Sequence, residues 1–218
     1  MAIDYNYFHS SQESVHKDLV NIVERHCVSE FQRPIAHHQH EAFSHIKKFL
    51  ALKDGPIILD SCCGTGLSST KLAELYPDHY VIGIDKSKAR LTRAQATPKN
   101  CFLVQGNVID LWRLFAKDPW NIKRHYLLYP NPYPKISQVK RRFYAHPVWP
   151  TLVRLAPYFE LRCNWSLYAQ ETMVALKLLG QKPHLSTEKP KAFLSLFEKK
   201  YLESQCQIYI ITNQLKKP

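Results

Sequence analysis

Short apolar runs alternate with amphipathic stretches along most of this chain. Short apolar runs are typical of buried strands, and amphipathic stretches with a helical period are typical of helices that cover a sheet. The alternation therefore predicts an α/β domain with a mostly parallel sheet. The predicted strands are residues 56–61, 80–85, 101–105, 124–129, 158–163 and 207–212, and the predicted helices are residues 68–76, 86–94, 108–116, 145–156 and 166–179.

The residues before Lys53 predict helices instead of strands. Apolar side chains recur there on two helical faces, first at Val15, Leu19, Ile22 and Val23, and then at Ala42, Phe43, Ile46, Phe49 and Leu50. We therefore predict a helical extension, residues 1–52, packed on a core domain of residues 53–218. Within that domain, residues 181–191 contain two prolines and little periodicity, which predicts a loop.

The chain is strongly basic. Its 218 residues carry a formal net charge of +12, and the pI is about 9.4. The basic residues are concentrated in two clusters, one formed by Lys86, Lys88, Arg90 and Arg93, and the other by Lys135, Lys140, Arg141 and Arg142. Such clusters indicate a polyanionic partner, and solvated helix faces are the alternative interpretation.

Cysteine usage and the absence of targeting features predict a cytoplasmic protein. The six cysteines, which include the adjacent pair Cys62 and Cys63, show no zinc-site spacing, so we expect reduced thiols. No apolar run approaches the length of a membrane span, and the first residues lack the basic and apolar regions of a secretory signal. His37, His38 and His40 have no partner cluster in the sequence, so we predict no metal site.

A buried strand followed by a glycine turn forms the first chemical motif, residues 57–66 (IILDSCCGTG). Gly64 and Gly66 let the backbone approach a ligand where a Cβ atom would clash. The next predicted strand ends at Asp85, where a carboxylate can accept hydrogen bonds from both ribose hydroxyls of a nucleotide. The turn lacks the Gly-Lys-Ser/Thr ending of a phosphate-binding loop and the third glycine of a dinucleotide fold. The motif predicts a mononucleotide-like cofactor.

Three prolines surround one amide side chain in residues 129–135 (YPNPYPK), which we call the proline heptad. Alternating prolines fix φ and remove backbone donors, so this segment cannot extend a central strand and must leave the sheet as a stiff loop. The heptad follows a predicted buried strand, and open α/β sheets bind ligands at the carboxyl ends of their strands. We therefore predict that Asn131 is held in an active site.

Both motifs resemble those of a known enzyme family. The proline heptad is similar to the Phe-Pro-Asp-Pro-Trp-Pro-Lys signature of the TrmB-type tRNA (guanine-N7) methyltransferases, and the glycine turn is similar to the cofactor motif of Rossmann-like S-adenosylmethionine (SAM) methyltransferases. Residues 163–168 (CNWSLY) resemble the family's Thr-Asp-Trp-x-x-Tyr, and residues 195–198 (SLFE) resemble its Thr-x-Phe-Glu. The resemblance implies a class I SAM-dependent methyltransferase fold, with a seven-stranded, mostly parallel sheet flanked by helices.

The resemblance also implies roles for individual residues. The SAM-binding residues would be Asp60 at the methionine end, Cys62, Gly64 and Gly66 in the turn, Asp85 at the ribose, Asn107 near the adenine, and Asn131. A tRNA or other structured RNA would be bound by Lys135, Lys140, Arg141, Arg142, Asn164, Ser195 and Glu198. Methylation of guanine N7 needs no general base, so the catalytic role predicted for Asn131 is to orient base and cofactor. We expect a monomer, with a dimer as the alternative.

The chain departs from the family where it has Asn107, Asn131 and Asn164 in place of aspartates. Guanine presents two donors on its Watson–Crick edge, and a carboxylate can accept both, whereas an amide offers one acceptor and two donors. We therefore expect weaker or altered base recognition. This leaves two alternative functions open: a methyltransferase of the Asn-Pro-aromatic type that modifies planar amino groups, and a non-catalytic SAM-binding or RNA-binding homologue.

Overall fold

A seven-stranded sheet organises the fold of residues 10–214, the part of the chain that this computed structural model describes. Its strands are β1 (Ile57–Ser61), β2 (Tyr80–Asp85), β3 (Cys101–Gln105), β4 (Ile122–Leu128), β5 (Tyr158–Cys163), β6 (His184–Ser186) and β7 (Tyr209–Gln214). The spatial order is β3-β2-β1-β4-β5-β7-β6. The five strands β1 to β5 run parallel to their neighbours in this group, whereas β7 is antiparallel to β5 and β6.

Helices connect the strands and precede the first of them. The α-helices are α1 (Leu19–Cys27), α2 (His37–Leu50), α3 (Leu67–Leu75), α4 (Lys88–Leu91), α5 (Val108–Phe115), α6 (Trp149–Arg154), α7 (Ser166–Leu178) and α8 (Leu196–Glu203). Two 3₁₀ helices, Ile136–Arg141 and Phe143–Ala145, follow the proline heptad. Within residues 10–214, no helix combines the length and apolar character that crossing a bilayer would require.

The centre of the sheet determines where a ligand can bind. All five residues of β1 are buried, as expected for a parallel strand that is covered on both faces. The chain builds the sheet outward from β1 to β3 and then returns to place β4 on the other side of β1. The strand order reverses at this point, so the connections leave a crevice at the carboxyl ends of β1 and β4. The glycine turn and the proline heptad begin at these two ends.

The two N-terminal helices share the hydrophobic core with the sheet. Leu19 and Val23 of α1 and Phe43 and Ile46 of α2 are buried in that core. Phe43 makes an edge contact with Phe115 of α5, with ring centroids 4.9 Å apart. Residues 1–9 of the predicted helical extension lie outside the described residues.

The predicted fold class is confirmed, and three local predictions are wrong. The predicted helix at residues 145–156 is shortened to α6, whose first turn contains Pro150. The predicted loop at residues 181–191 contains β6, which is only three residues long and so shows no periodicity. Its pairing with β7, and not local sequence, defines it as a strand. The predicted helix at residues 86–94 is shortened to α4, which begins after the Ser87 N-cap; the Ser87 side chain accepts from Arg90 N.

Candidate active site

A cavity of about 580 Å³ opens at the carboxyl ends of β1, β2 and β4. We call it the first cavity. Its walls include Cys62 and Gly64 after β1, Asp85 at the end of β2, Asn107 after β3, and Asn131 in the proline heptad. The size suits a nucleoside-sized ligand. Two of the sequence motifs therefore contribute to one site.

The glycine turn presents open space to the first cavity. Gly64 adopts a φ of 62°, and a Cβ atom placed there would meet no other atom within 4 Å. Its amide N donates to Asp85 Oδ2 at 3.0 Å, which ties the turn to the end of β2. Cys62 has a φ of 64° without being glycine, and such backbone strain persists only where surrounding contacts enforce it.

Asp60 lies beneath this turn and is fully buried. Its Oδ2 atom accepts from the hydroxyls of Ser68 and Ser69, each at 2.6 Å. Its Oδ1 atom has no hydrogen-bond partner among the described residues. Burial raises the pKa of Asp60 to about 6, because the charged carboxylate is poorly solvated there. Asp60 lines neither cavity, so its predicted contact with the methionine end of SAM does not fit the structure.

Asp85 is buried and holds three groups. Besides the Gly64 amide, Asp85 Oδ1 accepts from Ser87 N at 2.8 Å and pairs with Arg90 Nη2 at 3.0 Å. A carboxylate has about four lone-pair sites, so one site remains for a ligand hydroxyl while Arg90 is bound. Accepting two ribose hydroxyls would require Arg90 to move from Asp85.

Asn107 caps α5 at the edge of the first cavity. Its Oδ1 atom accepts from Ile109 N at 3.0 Å, which is the usual role of an N-cap side chain. Its backbone N donates to Gln39 Oε1 of α2 at 2.7 Å, so α2 contacts the cavity wall. One lone pair of Oδ1 therefore remains for the predicted hydrogen bond with an adenine.

The proline heptad leaves β4 with two residues in the left-handed region. Tyr129 has a φ of 51° and Tyr133 a φ of 47°, and Asn131 lies between them. Asn131 Oδ1 accepts from Tyr133 N at 3.3 Å, forming an Asx turn. Non-glycine residues in this region cost about 1–3 kcal/mol each, so other contacts must enforce the loop conformation.

Two buried carboxylates supply these contacts. Glu198 accepts from the Tyr129 hydroxyl at 2.9 Å and pairs with Arg162 at 2.8 Å, and the backbone N of Leu194 donates to it at 2.6 Å. Glu171 pairs with Arg142 at 2.6 Å.

Arg142 links Glu171 to the loop backbone. Its Nε and Nη2 atoms donate to the Tyr133 carbonyl oxygen at 3.1 and 3.0 Å. Tyr144 and Gln12 also donate to Glu171, with Gln12 Nε2 at 2.7 Å. The heptad is therefore fixed near both tyrosines by charges that lie in the protein interior.

A second cavity, of about 280 Å³, adjoins the first. The two cavities share Arg90, Tyr129, Pro130, Asn131 and Phe197. The second cavity is otherwise lined by Pro132, Cys163, Asn164, Trp165, Tyr168 and Tyr201. Aromatic walls suit a planar base, because bases stack on aromatic rings. Asn131 lies at the junction of the two spaces.

Comparison with known proteins identifies the family. The chain matches the family Methyltransf_4, described as "Putative methyltransferase", over residues 54–209. The chain belongs to this methyltransferase family. The predicted resemblance is thus confirmed.

The curated relatives that this chain matches carry one name. The tRNA (guanine-N(7)-)-methyltransferase of Cytophaga hutchinsonii is 30% identical over 94 residues, which cover 41% of this chain and 42% of the relative. Proteins of the same name are 31% identical over 98 residues in Mycobacterium ulcerans, covering 41% of this chain and 34% of the relative, and 26% identical over 171 residues in Zymomonas mobilis, covering 72% and 73%. The chain thus spans less than half the length of the first two relatives.

Solved structures support the fold of the chain. The 16S rRNA methyltransferase KamB superposes with a TM-score of 0.57 and 15% identity, over 94% of this chain and 99% of that chain. A structure described as an antibiotic related methyltransferase gives a TM-score of 0.55 and 16% identity, over 83% and 96%. At these identities the likeness concerns the fold alone.

The structure brings together part of the predicted site. The predicted residues that line the first cavity are Cys62, Gly64, Asp85, Asn107, Asn131, Arg141 and Ser195, and those that line the second are Asn131 and Asn164. Lys135 and Lys140 are exposed outside both cavities. Among residues 10–214, no group of three or more His, Cys, Asp and Glu side chains is arranged to hold a metal ion.

Several predicted contacts do not fit the structure. Arg142 and Glu198 are fully buried and paired with protein groups, so neither is available to RNA. Gly66 lines neither cavity; a Cβ there would lie 2.4 Å from Leu103 Cδ1, so glycine is required for packing against β3. Ser195 lines the first cavity, but its hydroxyl accepts from Glu198 N as the N-cap of α8.

Sequence reasoning missed Arg90 and Glu171 as site residues. Arg90 belonged to a basic cluster, but nothing in its spacing indicated the pair with Asp85. Glu171 lies in α7, where a charged residue in an amphipathic pattern indicates a solvated face. Only the fold brings it to Arg142.

Proposed function

We propose that the protein binds SAM in the first cavity and transfers its methyl group to N7 of a guanine in tRNA. The observation that carries this proposal is the junction of two cavities at Asn131, one suited to a nucleoside and one lined by aromatic rings. The names of the curated relatives favour the same substrate. An enzyme of this kind would work in the cytoplasm.

The residues of the first cavity fit SAM. The open space at Gly64 accommodates a ligand next to the backbone, and Ser68, whose hydroxyl donates to buried Asp60 at 2.6 Å, lines the same cavity. Asp85 lies where ribose hydroxyls are usually bound. Once bound, SAM would supply an electrophilic methyl group on a sulfonium ion.

The chain's own residues act by orientation. Guanine N7 carries an in-plane lone pair, so no side chain has to remove a proton before attack. The aromatic walls of the second cavity hold the base plane, and the rigid heptad fixes Asn131 against it. Holding two reactants in line accounts for a large part of such a rate enhancement. Lys135, Lys140 and Arg141, all exposed, are placed to contact the RNA backbone.

A labelled-SAM assay on total tRNA, followed by nucleoside analysis, tests the proposal. We expect labelled 7-methylguanosine as the product. Labelled N-methylated adenine or cytosine would instead support the amino-group alternative. SAM binding without transfer to any RNA would support the non-catalytic alternative. Substitution of Asp85 by Asn should weaken SAM binding in all three cases, so it distinguishes the cofactor site from the acceptor site.

A further inference from the structure

The orientation of the Asn131 amide points to how the target base is recognised. We propose that Asn131 Nδ2 donates to the O6 carbonyl of the target purine, next to N7, so that the site selects a 6-oxopurine and does not read the 2-amino group. This inference rests on the proposed function. In this arrangement Asn131 contacts the edge of guanine that carries O6 and N7, whereas a carboxylate would bind the Watson–Crick edge.

The backbone of the heptad fixes the amide. The Tyr133 N–H group can only donate, so the Asn131 atom that faces it at 3.3 Å must be the oxygen. Arg142 holds the carbonyl side of Tyr133 with two hydrogen bonds. Within residues 10–214, Nδ2 of Asn131 has no protein acceptor, and Asn131 lines both cavities. The free polar group at the junction is therefore a donor.

The second cavity offers few acceptors to the Watson–Crick edge of guanine. The residues that line it, all within the described part of the chain, include one guanidinium, that of Arg90, and no carboxylate. Burial raises the pKa of the Cys163 thiol to about 12, so it stays neutral. Nearby Glu198 is already bound by Arg162, Tyr129 and Leu194. The two donors N1–H and N2–H₂ would find no charged partner here.

The opposite edge of guanine matches these groups. It presents two acceptors side by side, O6 and N7. While N7 is the methyl acceptor, O6 is free to accept from Nδ2. Adenine has an amino group in place of O6, so its donor would face the donor of Asn131. Hypoxanthine keeps O6 and N7 and lacks only the 2-amino group, so it should be accepted as well as guanine is.

Substitution of Asn131 by Asp should change kcat/KM in opposite directions, depending on which edge of guanine the site binds. If the amide donates to O6, the carboxylate removes the donor and repels the carbonyl, and kcat/KM for tRNA should fall by roughly 10- to 100-fold. If the Watson–Crick edge is bound, the same substitution restores the paired acceptor and should raise kcat/KM. Asn121→Asp is the matched control, since Asn121 is exposed beside the amino end of β1, away from both cavities. A rise in kcat/KM for Asn131→Asp would overturn the proposal.

A binding measurement does not depend on turnover. Saturation-transfer NMR on the full chain with S-adenosylhomocysteine should give comparable affinities for guanosine and inosine, within about threefold, and at least ~10-fold weaker binding of adenosine. Inosine bound ~10-fold more weakly than guanosine, or no binding by any of the three, would overturn the O6 contact. Equal guanosine and inosine binding without any 7-methylguanosine in tRNA would instead refute the proposed function and leave the contact supported.

Discussion

The two sides of the cleft use their polar residues differently. On the side of the glycine turn, Asp85 and Asn107 line the first cavity. On the side of the proline heptad, the charged residues Arg142, Glu171 and Glu198 are buried and bind the loop. The turn is shaped by glycine and by short backbone contacts, whereas the heptad needs two internal ion-pair networks to maintain two strained tyrosines. Motif residues therefore line the cavity on one side of the cleft, whereas on the other side several of them are buried and hold the loop in place.

Removal of the Arg142 charge, on the heptad side of the cleft, should cause the largest loss of unfolding free energy. Arg142→Met leaves Glu171 buried without its cation, and breaking a buried pair typically costs about 3–5 kcal/mol. We expect the free energy of unfolding, measured with urea, to fall by this amount. The exposed neighbour substitution Arg141→Met should change it by less than about 0.5 kcal/mol.

The double variant Arg142→Met with Glu171→Met tests the assignment to the ion pair. Replacing both charges by apolar groups removes the unpaired carboxylate, so much of the lost stability should return. Methyl transfer should stay low, because Tyr133 has lost its two hydrogen bonds from Arg142. Full recovery of activity in the double variant would show that Arg142 does not position the heptad.

The two glycines of the turn should separate packing from ligand binding. Gly66→Ala would bring its Cβ to 2.4 Å from Leu103 Cδ1 at a φ of 79°, so we expect a loss of about 2–4 kcal/mol in unfolding free energy. Gly64→Ala meets open space, so only the backbone strain of its 62° φ remains, about 1 kcal/mol. Its new methyl group should instead weaken SAM binding. Equal effects of the two substitutions on binding would contradict the distinction.

Gly64 and Gly66 also show which parts of the site could be predicted from the sequence. The positions of the central strands, the glycine turn and Asp85 followed from local spacing, because a parallel sheet places its strand ends together at one edge. The roles of Gly66, Arg142 and Glu198 did not, because motif position says nothing about burial. Arg142 meets Glu171 through a helix 29 residues away in sequence, and no local pattern records that contact.

The protonation of Asp60, on the glycine-turn side, should make stability depend on pH. Its pKa in the fold, about 6, lies above the value of about 3.9 in an unfolded chain, so the protonated acid stabilises the fold at low pH and this contribution is lost as pH rises through about 6. The free energy of unfolding, measured with urea, should therefore fall by about 2 kcal/mol between about pH 4 and pH 7. Asp60→Asn should flatten this slope, and an unchanged slope in that variant would contradict the assignment to Asp60.

Loss of the Tyr129 hydroxyl should cause the smallest loss of stability on the heptad side of the cleft. Burial, followed by the nearby charge of Glu198, raises the pKa of Tyr129, so the hydroxyl stays protonated and donates to that carboxylate. Tyr129→Phe removes one bond, but Glu198 keeps those from Arg162 and Leu194, so we expect a loss of only about 1 kcal/mol in unfolding free energy. Tyr80→Phe is the control, because the Tyr80 hydroxyl has no hydrogen-bond partner among residues 10–214 and Tyr80 lines neither cavity. If Tyr129→Phe lowered kcat on tRNA no more than the control does, Glu198 would stabilise α8 without positioning the heptad.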